Sequence, residues 1–523
     1  MSSLSPSTGV PAPEPAVRRR AAALAAPALA IAGGVLWGLT FARHATAWLP
    51  PVALIPLVLL LDRRRAGWLG WLHGIAGWAT AMSWIVHTLT VYGMLPGWLA
   101  GLSLLLLAAY LGLYHAAFAA LGARLWRSPV RGAWLALPAL WVALEWLRGV
   151  ALSGFPWNLA ATSWTTMPGA LPLAAWIGAF GVSWLLVAIN VALAQAWRRR
   201  SLDLAALALL LPAVLLPVAG RWAVGEGEIG PAMWIKAIQP NTPNLVAWDA
   251  AAVARQTERL FAMSRQACDR PALLVWPESA AWPYEYPRDQ ALVAALAELN
   301  AMGCPVLLNT PAEEDGATFN AAVMVGESGV LGRYAKRHLV PFGEYVPLRR
   351  VLPFLGKIAR GAGDFSPARS LSLLPLGAER LGVAICFEVI FPVEVAELTR
   401  AGATILATMT NDAWYGDTAA PWQHLRAAQF RAAENRRPLV RAAITGVSAI
   451  VAPDGRLLAS LDVGVQGVLA APLAGRSDLS PFARAPWLVP ALAFLVAGGC
   501  LALVRRARSG QVKEAAVVSS RPA

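Results

Sequence analysis

Long apolar stretches dominate the first 220 residues, and most are about as long as a membrane-spanning helix. A bilayer core about 30 Å thick is crossed by roughly 20 apolar residues in helical form. The pattern therefore predicts seven spans in this region and an eighth near the carboxyl end. The eight segments are 21–41, 46–61, 67–89, 96–121, 132–148, 171–196, 203–220 and 486–504.

Between residues 228 and 480 the pattern changes to short β-prone runs that alternate with helical stretches. The runs are 233–239, 272–278, 305–309, 321–326, 381–388, 403–412, 438–444 and 448–455, and the helical stretches are 249–267, 288–301, 392–401 and 422–436. Pro453-Asp454-Gly455 indicates a hairpin turn. This mixture predicts an α/β domain with a mixed sheet, stacked on another layer and covered by helices.

These patterns divide the chain into five parts. We expect a disordered tail at 1–17, seven transmembrane helices within 18–225, a catalytic domain at 228–480, an eighth transmembrane helix at 484–506 and a second tail at 507–523.

Arginine clusters give the expected orientation in the membrane. The clusters lie at 18–20, 63–65, 124–131, 198–200 and 505–508, all on one side if the eight spans are real. The positive-inside rule then places both termini in the cytoplasm and the catalytic domain in the periplasm of a Gram-negative cell, with the chain in the inner membrane. A net charge of +14 could indicate nucleic-acid binding. Because the arginines cluster at span ends, we expect no nucleic-acid partner.

The segment 149–170 fits neither a clean span nor a polar loop. Gly154, Pro156 and Pro168 disfavour a continuous helix, whereas Trp157 and Trp164 are typical of a membrane interface. A loop that dips into the outer membrane face and a simple interfacial connector both fit this composition.

The four cysteines are Cys268, Cys304, Cys386 and Cys500, of which Cys500 lies in an apolar segment. The other three have no paired spacing. We therefore expect neither a disulfide framework nor a zinc site, and no bound metal.

Reactive side chains follow several predicted strands. Glu278 ends one run, Lys336 follows another, and Cys386 ends a third, while Asn411-Asp412 ends a fourth. Open α/β sheets place their sites at such strand ends. A nearby cation lowers the pKa of a thiol, a carboxylate can move its proton, and an ammonium can stabilise an oxyanion. Each residue alone has an ordinary structural explanation, but together they predict an acyl-transfer site.

Four ordered blocks carry a family resemblance. W-P-E-S-A (276–280), K-R-H-L-V-P-F-G-E-Y-V-P (336–347), C-F-E (386–388) and N-D-A-W-Y-G (411–416) resemble the signature blocks of the nitrilase, or carbon–nitrogen hydrolase, superfamily. With its predicted spans, the whole chain resembles the apolipoprotein N-acyltransferase family. The resemblance implies a multi-pass α-helical membrane domain joined to a nitrilase-like αββα sandwich. It also implies a catalytic triad of Glu278, Lys336 and Cys386, supporting roles for Glu344, Phe387, Glu388 and Asn411, and substrate-binding roles for Trp248 and His424.

The resemblance further implies a reaction. An acyl chain passes from a phospholipid, expected to be phosphatidylethanolamine, through a thioester on Cys386. The acceptor is the N-terminal amine of the diacylglyceryl-cysteine of an apolipoprotein. This is the last step of lipoprotein maturation. We expect the protein to be a monomer and to use no cofactor. The apolar segment 342–358 is either an arm over the site or ordinary core, and Arg349, Arg350, Lys357 and Arg360 could contact headgroups.

Two rival functions fit the residues less well. A membrane-tethered amidase would use the same triad with water as acceptor, but this function does not explain why the chain has so many membrane spans. A transporter or scaffold with an inactive soluble domain is disfavoured by the few charges within the spans, where Glu145 and Arg148 lie near one end.

Overall fold

The computed structural model describes residues 16–44, 46–220, 229–242, 250–346 and 364–519. Its amino-terminal part is helical. The helices are α1 (Ala16–Leu39), α2 (Pro50–Ala53), α3 (Ile55–Leu59), α4 (Ala66–Ala81), α5 (Trp84–Val91), α6 (Gly97–Trp126), α7 (Leu137–Val150), α8 (Ala170–Arg199) and α9 (Leu204–Gly220). The second predicted span is broken into α2, α3 and a 3₁₀ turn, as expected for a stretch with three prolines.

Helix occupies every one of the eight predicted spans. Four helical segments are long and apolar enough to cross a membrane, namely Gly97–Trp126, Ala133–Ser153, Ala170–Arg199 and Leu488–Gln511. The shorter apolar helices are Leu24–Leu39, Pro50–Asp62 and Leu204–Leu216. These helices indicate a membrane protein, while the number of spans stays a prediction.

The α/β domain consists of two mixed sheets. One has the strand order β12-β1-β2-β3-β4-β5 and the other β11-β10-β9-β8-β7-β6. The strands are β1 (Ile229–Gln239), β2 (Leu273–Val275), β3 (Val306–Glu314), β4 (Ala317–Gly326), β5 (Gly329–Ala335), β6 (Leu374–Leu376), β7 (Glu379–Ile385), β8 (Ile405–Thr410), β9 (Leu439–Ala443), β10 (Ser448–Val451), β11 (Leu457–Leu461) and β12 (Gly467–Arg476). Pro453-Asp454-Gly455 lies between the antiparallel β10 and β11, so the predicted hairpin is confirmed.

Helices cover both sheets and complete four layers. α10 (Ala250–Ala267) and α11 (Gln290–Ala301) pack on the first sheet, and α12 (Pro392–Arg400) and α13 (Ala420–Asn435) pack on the second. Strands β2 and β8 are buried along their whole length, as expected for central parallel strands covered on both faces. The predicted αββα arrangement is confirmed for this domain. The chain then leaves through α14 (Pro481–Arg484) and α15 (Leu488–Ser519).

Strands β6 and β12 were not predicted from the sequence. β12 returns from the second sheet to pair antiparallel with β1 along nearly its full length. It therefore joins the two sheets and places the start of α14 and α15 beside the membrane helices, where α14 packs on α8.

A disulfide joins Cys268 to Cys304, so the expectation that these cysteines are unpaired is wrong. The two residues are 36 positions apart, but each lies just before a strand of one parallel pair, β2 and β3. Parallel neighbours begin at the same edge of a sheet, which brings the residues preceding them together. Their Cα atoms are 6.1 Å apart, a separation that a disulfide can bridge. Sequence spacing alone does not reveal such a topological proximity.

Helix α13 docks the catalytic domain on the membrane helices. Gln423 donates to the carbonyls of Phe41 and Ala81, at 3.1 and 2.9 Å. Further along, Glu434 accepts from the backbone N–H of Ala179 at 2.7 Å, where Gly178 interrupts helix α8 with a φ of 65°. Side chains of the α/β domain thus satisfy backbone groups that membrane helices leave unpaired at ends and breaks.

Within the segment 149–170, residues 156–164 are buried inside the protein, whereas Val150 and Leu152 are exposed. Trp157 and Trp164 are both 2% exposed, so their expected place at a membrane interface is wrong. The indole N–H of Trp157 donates to Gln423 of α13 at 2.8 Å. The carbonyls of Phe155 and Trp157 accept from Arg148 of α7, at 2.6 and 2.7 Å. The segment therefore connects the membrane helices to the underside of the catalytic domain.

Candidate active site

The reactive residues come together where strands of both sheets end. Glu278 follows β2, Lys336 follows β5, Cys386 follows β7 and Asn411 follows β8. β7 and β8 are parallel and neighbouring, so their carboxyl ends meet at one edge. The backbone N–H of Asn411 donates to Glu278 Oε2 at 3.2 Å, which links the two sheets across the site.

A buried cluster of charges and amides occupies the side of the site formed by the first sheet. The ammonium of Lys336 lies 2.9 Å from Glu344 Oε1 and 3.4 Å from Glu278 Oε1. The amide of Asn320 donates to the same two oxygens, at 2.6 and 3.0 Å. Asn309 donates in turn to Asn320 Oδ1 at 2.6 Å. One cation and one amide therefore hold two carboxylates in fixed positions.

The surroundings of Lys336 favour its charged form. Burial alone would lower the pKa of Lys336, but the negative charges of Glu278 and Glu344 outweigh burial and raise it. The side chain is 1% exposed. A raised pKa favours the charged ammonium, which suits Lys336 to stabilising developing negative charge rather than to acting as a base.

Cys386 is 8% exposed and has a left-handed backbone with a φ of 50°. Its sulfur lies 3.3 Å from the hydroxyl of Thr410. Burial and the charge of Glu278 raise the pKa of the thiol, although Lys336 acts in the other direction. Lys336 lowers the pKa of the thiol, as expected of a nearby cation, but burial and Glu278 outweigh this effect. A neutral thiol needs a base when it attacks, and the carboxylate of Glu278 is close enough to influence its ionisation.

Glu388 holds the segment around Lys336 against the nucleophile. Its Oε1 accepts from the Tyr334 hydroxyl at 2.9 Å and from the backbone N–H groups of Arg337 and His338, at 2.7 and 3.1 Å. Its Oε2 accepts from the N–H of Ile385, directly before the nucleophile, at 2.7 Å. Its predicted supporting position is thus a physical bridge between β5 and β7.

A second polar network lies behind the nucleophile. Nε2 of His424 is 3.0 Å from the carbonyl oxygen of Cys386, and its Nδ1 is 3.1 Å from Asp412 Oδ1. Asp412 is paired with Arg441 at 2.5 Å and accepts from Thr410 at 2.7 Å. His424 is completely buried. It contacts the backbone of the nucleophile and Asp412, and its expected role in binding substrate stays a prediction.

Two family models cover most of the chain. The apolipoprotein N-acyltransferase N-terminal domain matches residues 33–192, and carbon–nitrogen hydrolase matches residues 235–476. An apolipoprotein N-acyltransferase of Geobacter metallireducens is 38% identical over 454 residues, which cover 82% of this chain and 85% of that protein. The chain belongs to the apolipoprotein N-acyltransferase family. A relative of the same name from Ralstonia nicotianae is 33% identical and covers 93% of this chain and 94% of its own length.

Nit3 of Saccharomyces cerevisiae, a member of the nitrilase superfamily, matches 47% of this chain and 91% of its own length, with 17% identity and a TM-score of 0.37.

In this member of the apolipoprotein N-acyltransferase family, most of the residues singled out from the sequence meet in one place. Glu278, Lys336, Glu344 and Cys386 line one cluster, and Asn411 and Glu388 border it. Phe387 packs against Phe391 and lies 6.4 Å, between ring centroids, from Phe155 of the membrane part. Trp248 and most of the segment 342–358, with Arg349, Arg350, Lys357 and Arg360, lie outside the described residues.

Four polar residues of the site were not assigned a role from the sequence: Asn320, Thr410, Asp412 and Arg441. Asp412 stands inside the N-D-A-W-Y-G block, beside an assigned asparagine. Thr410 and Arg441 interrupt β8 and β9, whose other side chains are mainly apolar. A polar residue in a buried central strand needs a partner, and that rule is the signal that could have found them. Within the described residues, no group of three or more His, Cys, Asp and Glu side chains could hold a metal ion.

Proposed function

We propose that this chain transfers an acyl chain from a phospholipid, with phosphatidylethanolamine as donor, to the N-terminal amine of the diacylglyceryl-cysteine of apolipoproteins. This is the last step of lipoprotein maturation. The observation that supports it most is the placement of the Cys386 thiol in one buried cluster with the carboxylate of Glu278 and the ammonium of Lys336, which lie 3.4 Å apart. Membership of the apolipoprotein N-acyltransferase family points to the same reaction.

In the first half-reaction, Glu278 takes the thiol proton while the sulfur of Cys386 attacks the ester carbonyl carbon of the phospholipid. The new negative charge on the carbonyl oxygen is stabilised by Lys336 and by the backbone N–H of Phe387. When the intermediate collapses, the ester C–O bond breaks and the proton on Glu278 passes to the leaving oxygen. A lysophospholipid departs, and a thioester remains on Cys386.

In the second half-reaction, the amine of the lipidated cysteine attacks the thioester carbon. Glu278 accepts a proton from the amine, and the same two donors stabilise the oxyanion. The carbon–sulfur bond then breaks, an amide forms, and the proton returns to the sulfur. Because both substrates use one nucleophile in turn, the kinetics should be ping-pong.

The membrane helices suit substrates that keep their acyl chains in lipid. Withdrawing a chain into water costs about 0.8 kcal/mol per CH₂, and a site fixed at the bilayer surface avoids this cost. We propose eight spans in the inner membrane, both termini in the cytoplasm and the catalytic domain in the periplasm. The disulfide between Cys268 and Cys304 supports this orientation, because disulfides persist in oxidising compartments such as the periplasm.

The decisive experiment is mass spectrometry of the purified chain after incubation with phosphatidylethanolamine of defined acyl chains and no acceptor. We expect an acyl adduct on Cys386 that is lost when a diacylglyceryl lipopeptide is added. Glu278→Gln should form no adduct, while the control Cys500→Ser should form it normally. Release of ammonia from small amides, with no transfer to the lipopeptide, would instead support a membrane-tethered amidase.

A further inference from the structure

His424 contacts the nucleophile from behind, through the backbone. Its Nε2 lies 3.0 Å from the carbonyl oxygen of Cys386. A carbonyl oxygen can only accept a hydrogen bond, so Nε2 must carry a hydrogen. This holds whether the ring is neutral or charged. The hydrogen bond therefore fixes the direction of one specific carbonyl, that of the attacking residue.

The imidazole ring is itself held on its other edge and on one face. Nδ1 lies 3.1 Å from Asp412 Oδ1 and 3.2 Å from Arg441 Nη2. The indole of Trp157, from the membrane part of the chain, is stacked on the ring with centroids 5.3 Å apart and planes 29° apart. The side chains of Asp412, His424 and Arg441 are completely buried. A ring held in this way cannot turn without breaking an ion-paired network.

The direction of that carbonyl determines the direction of the next N–H. The peptide unit between Cys386 and Phe387 is planar, and its C=O and N–H point to opposite sides. With the carbonyl turned to His424, the N–H of Phe387 points away from it. The φ of 50° at Cys386 is a costly conformation for a residue other than glycine, so the peptide unit needs an external contact to stay in place.

We propose that His424 is a positioning residue that aims the backbone N–H of Phe387 at the oxyanion by holding the carbonyl of Cys386. Asp412 and Arg441 fix the ring from the catalytic domain, and Trp157 fixes it from the membrane part. This inference rests on the proposed acyl transfer, because it assigns a source to the alignment of one oxyanion donor. Phe387 supplies the donor, and His424 never contacts the substrate.

Two reactions of Cys386 separate this role from a general structural one. Acylation by phosphatidylethanolamine passes through an oxyanion, whereas alkylation by iodoacetamide displaces iodide and forms none. Both rates are measured on the full chain in detergent, by intact mass. The variants are His424→Leu, which removes the donor, and His424→Gln, whose amide can restore it. Gln429→Leu is the matched control, because it removes a donor to the carbonyl of Gly455 from the same helix, at 3.0 Å.

We expect His424→Leu to acylate about 100-fold more slowly while its alkylation stays within about threefold of the wild type, since loss of one oxyanion donor costs roughly 10²–10³ in rate. His424→Gln should acylate at least about tenfold faster than His424→Leu. Gln429→Leu should match the wild type in both reactions. Equal losses in acylation and alkylation by His424→Leu, or acylation at the wild-type rate, would overturn the proposal. A wild-type chain that alkylates at Cys386 but never acylates would instead refute the proposed function.

Discussion

The two sheets contribute to the site in different ways. The side from the first sheet, here called the front, consists of Glu278, Asn320, Lys336 and Glu344. The side from the second sheet, the rear, places Thr410, Asp412, His424 and Arg441 behind the nucleophile. In the front, Glu278 is 7% exposed and the side chain of Glu344 is 13% exposed, whereas Lys336 is only 1% exposed. Rear side chains are completely buried.

The two sides also differ in their charges. The front has two carboxylates and one ammonium beside the thiol of Cys386, so the proposed proton transfer from Cys386 to Glu278 stays within the cluster. The rear pairs Asp412 with Arg441 at 2.5 Å. Burial alone would raise the pKa of Asp412, but Arg441 and His424 lower it to about 2. The front is therefore suited to proton transfer, and the rear to holding the nucleophile in place.

Removing the cation from the front should have the largest effect. Lys336→Met deletes one of two proposed oxyanion donors and leaves two carboxylates attached only to Asn320 and backbone groups. We expect thioester formation on Cys386 to slow by at least about 1000-fold, near the upper end for loss of one such donor. The measurement is the pre-steady-state rate of acyl adduct formation by intact mass. A fall of less than tenfold would show that Lys336 is not a principal donor.

Breaking the ion pair in the rear should cost stability instead. Arg441→Met leaves Asp412 as a buried charge without its main partner, and removal of one partner of a buried pair typically costs 3–5 kcal/mol. We expect a clear fall in the melting temperature of the purified chain, measured by tryptophan fluorescence. The matched control is Asp412→Asn combined with Arg441→Met, which removes both charges and should lose less. If the single and double variants melt together, the pair does not stabilise the rear.

The front could be predicted from the sequence much more fully than the rear. Glu278, Lys336 and Cys386 stand in distinctive blocks, at the ends of runs whose apolar character identifies them as strands, and Glu344 was assigned from its block alone. Asp412 and Arg441 are 29 residues apart and meet only because β8 and β9 are neighbours. The disulfide was missed for a similar reason, since adjacent parallel strands bring its cysteines together. Trp157 was assigned to a membrane interface because its partners lie in another domain.

Acid should weaken the rear through Asp412. Its folded pKa of about 2 lies below the ordinary value of 3.8, so its stabilising effect is complete above pH 4 and is lost as the pH falls towards 2. A pKa difference of that size corresponds to about 2 kcal/mol in the free energy of unfolding. We expect the wild type to lose more stability than Asp412→Asn between pH 5 and pH 2, measured by chemical unfolding at fixed ionic strength.

The pKa of Glu388 is shifted in the opposite direction to that of Asp412, so Glu388 should change stability with pH in the opposite direction. Burial raises its pKa, although Lys336 and backbone N–H groups act against that rise. A carboxyl with a raised folded pKa is more easily ionised in the unfolded chain, so it reduces stability as the pH rises through that interval. Glu388→Gln should remove this downward slope. If the two substitutions, Asp412→Asn and Glu388→Gln, changed the pH dependence of the unfolding free energy in the same direction relative to the wild type, the assignment of opposite pKa shifts would be contradicted.

The smallest effect should come from the membrane residue that touches the rear. Trp157→Phe keeps a ring over His424 but removes the indole N–H that donates to Gln423 at 2.8 Å, and Gln423 still accepts from Trp84 at 3.2 Å. We expect acylation to fall only about twofold, because one hydrogen bond is worth about 1 kcal/mol and part of it is replaced.

Trp157→Ala also removes the stacking, worth about 0.5–1.5 kcal/mol, and should slow acylation by about tenfold with alkylation unchanged. Trp164→Phe is the control, since Trp164 is equally buried in the same segment but donates to the carbonyl of Ala47. If Trp157→Ala acylated as fast as Trp164→Phe, the rear would be held by the catalytic domain alone, and the membrane segment would serve only to dock it.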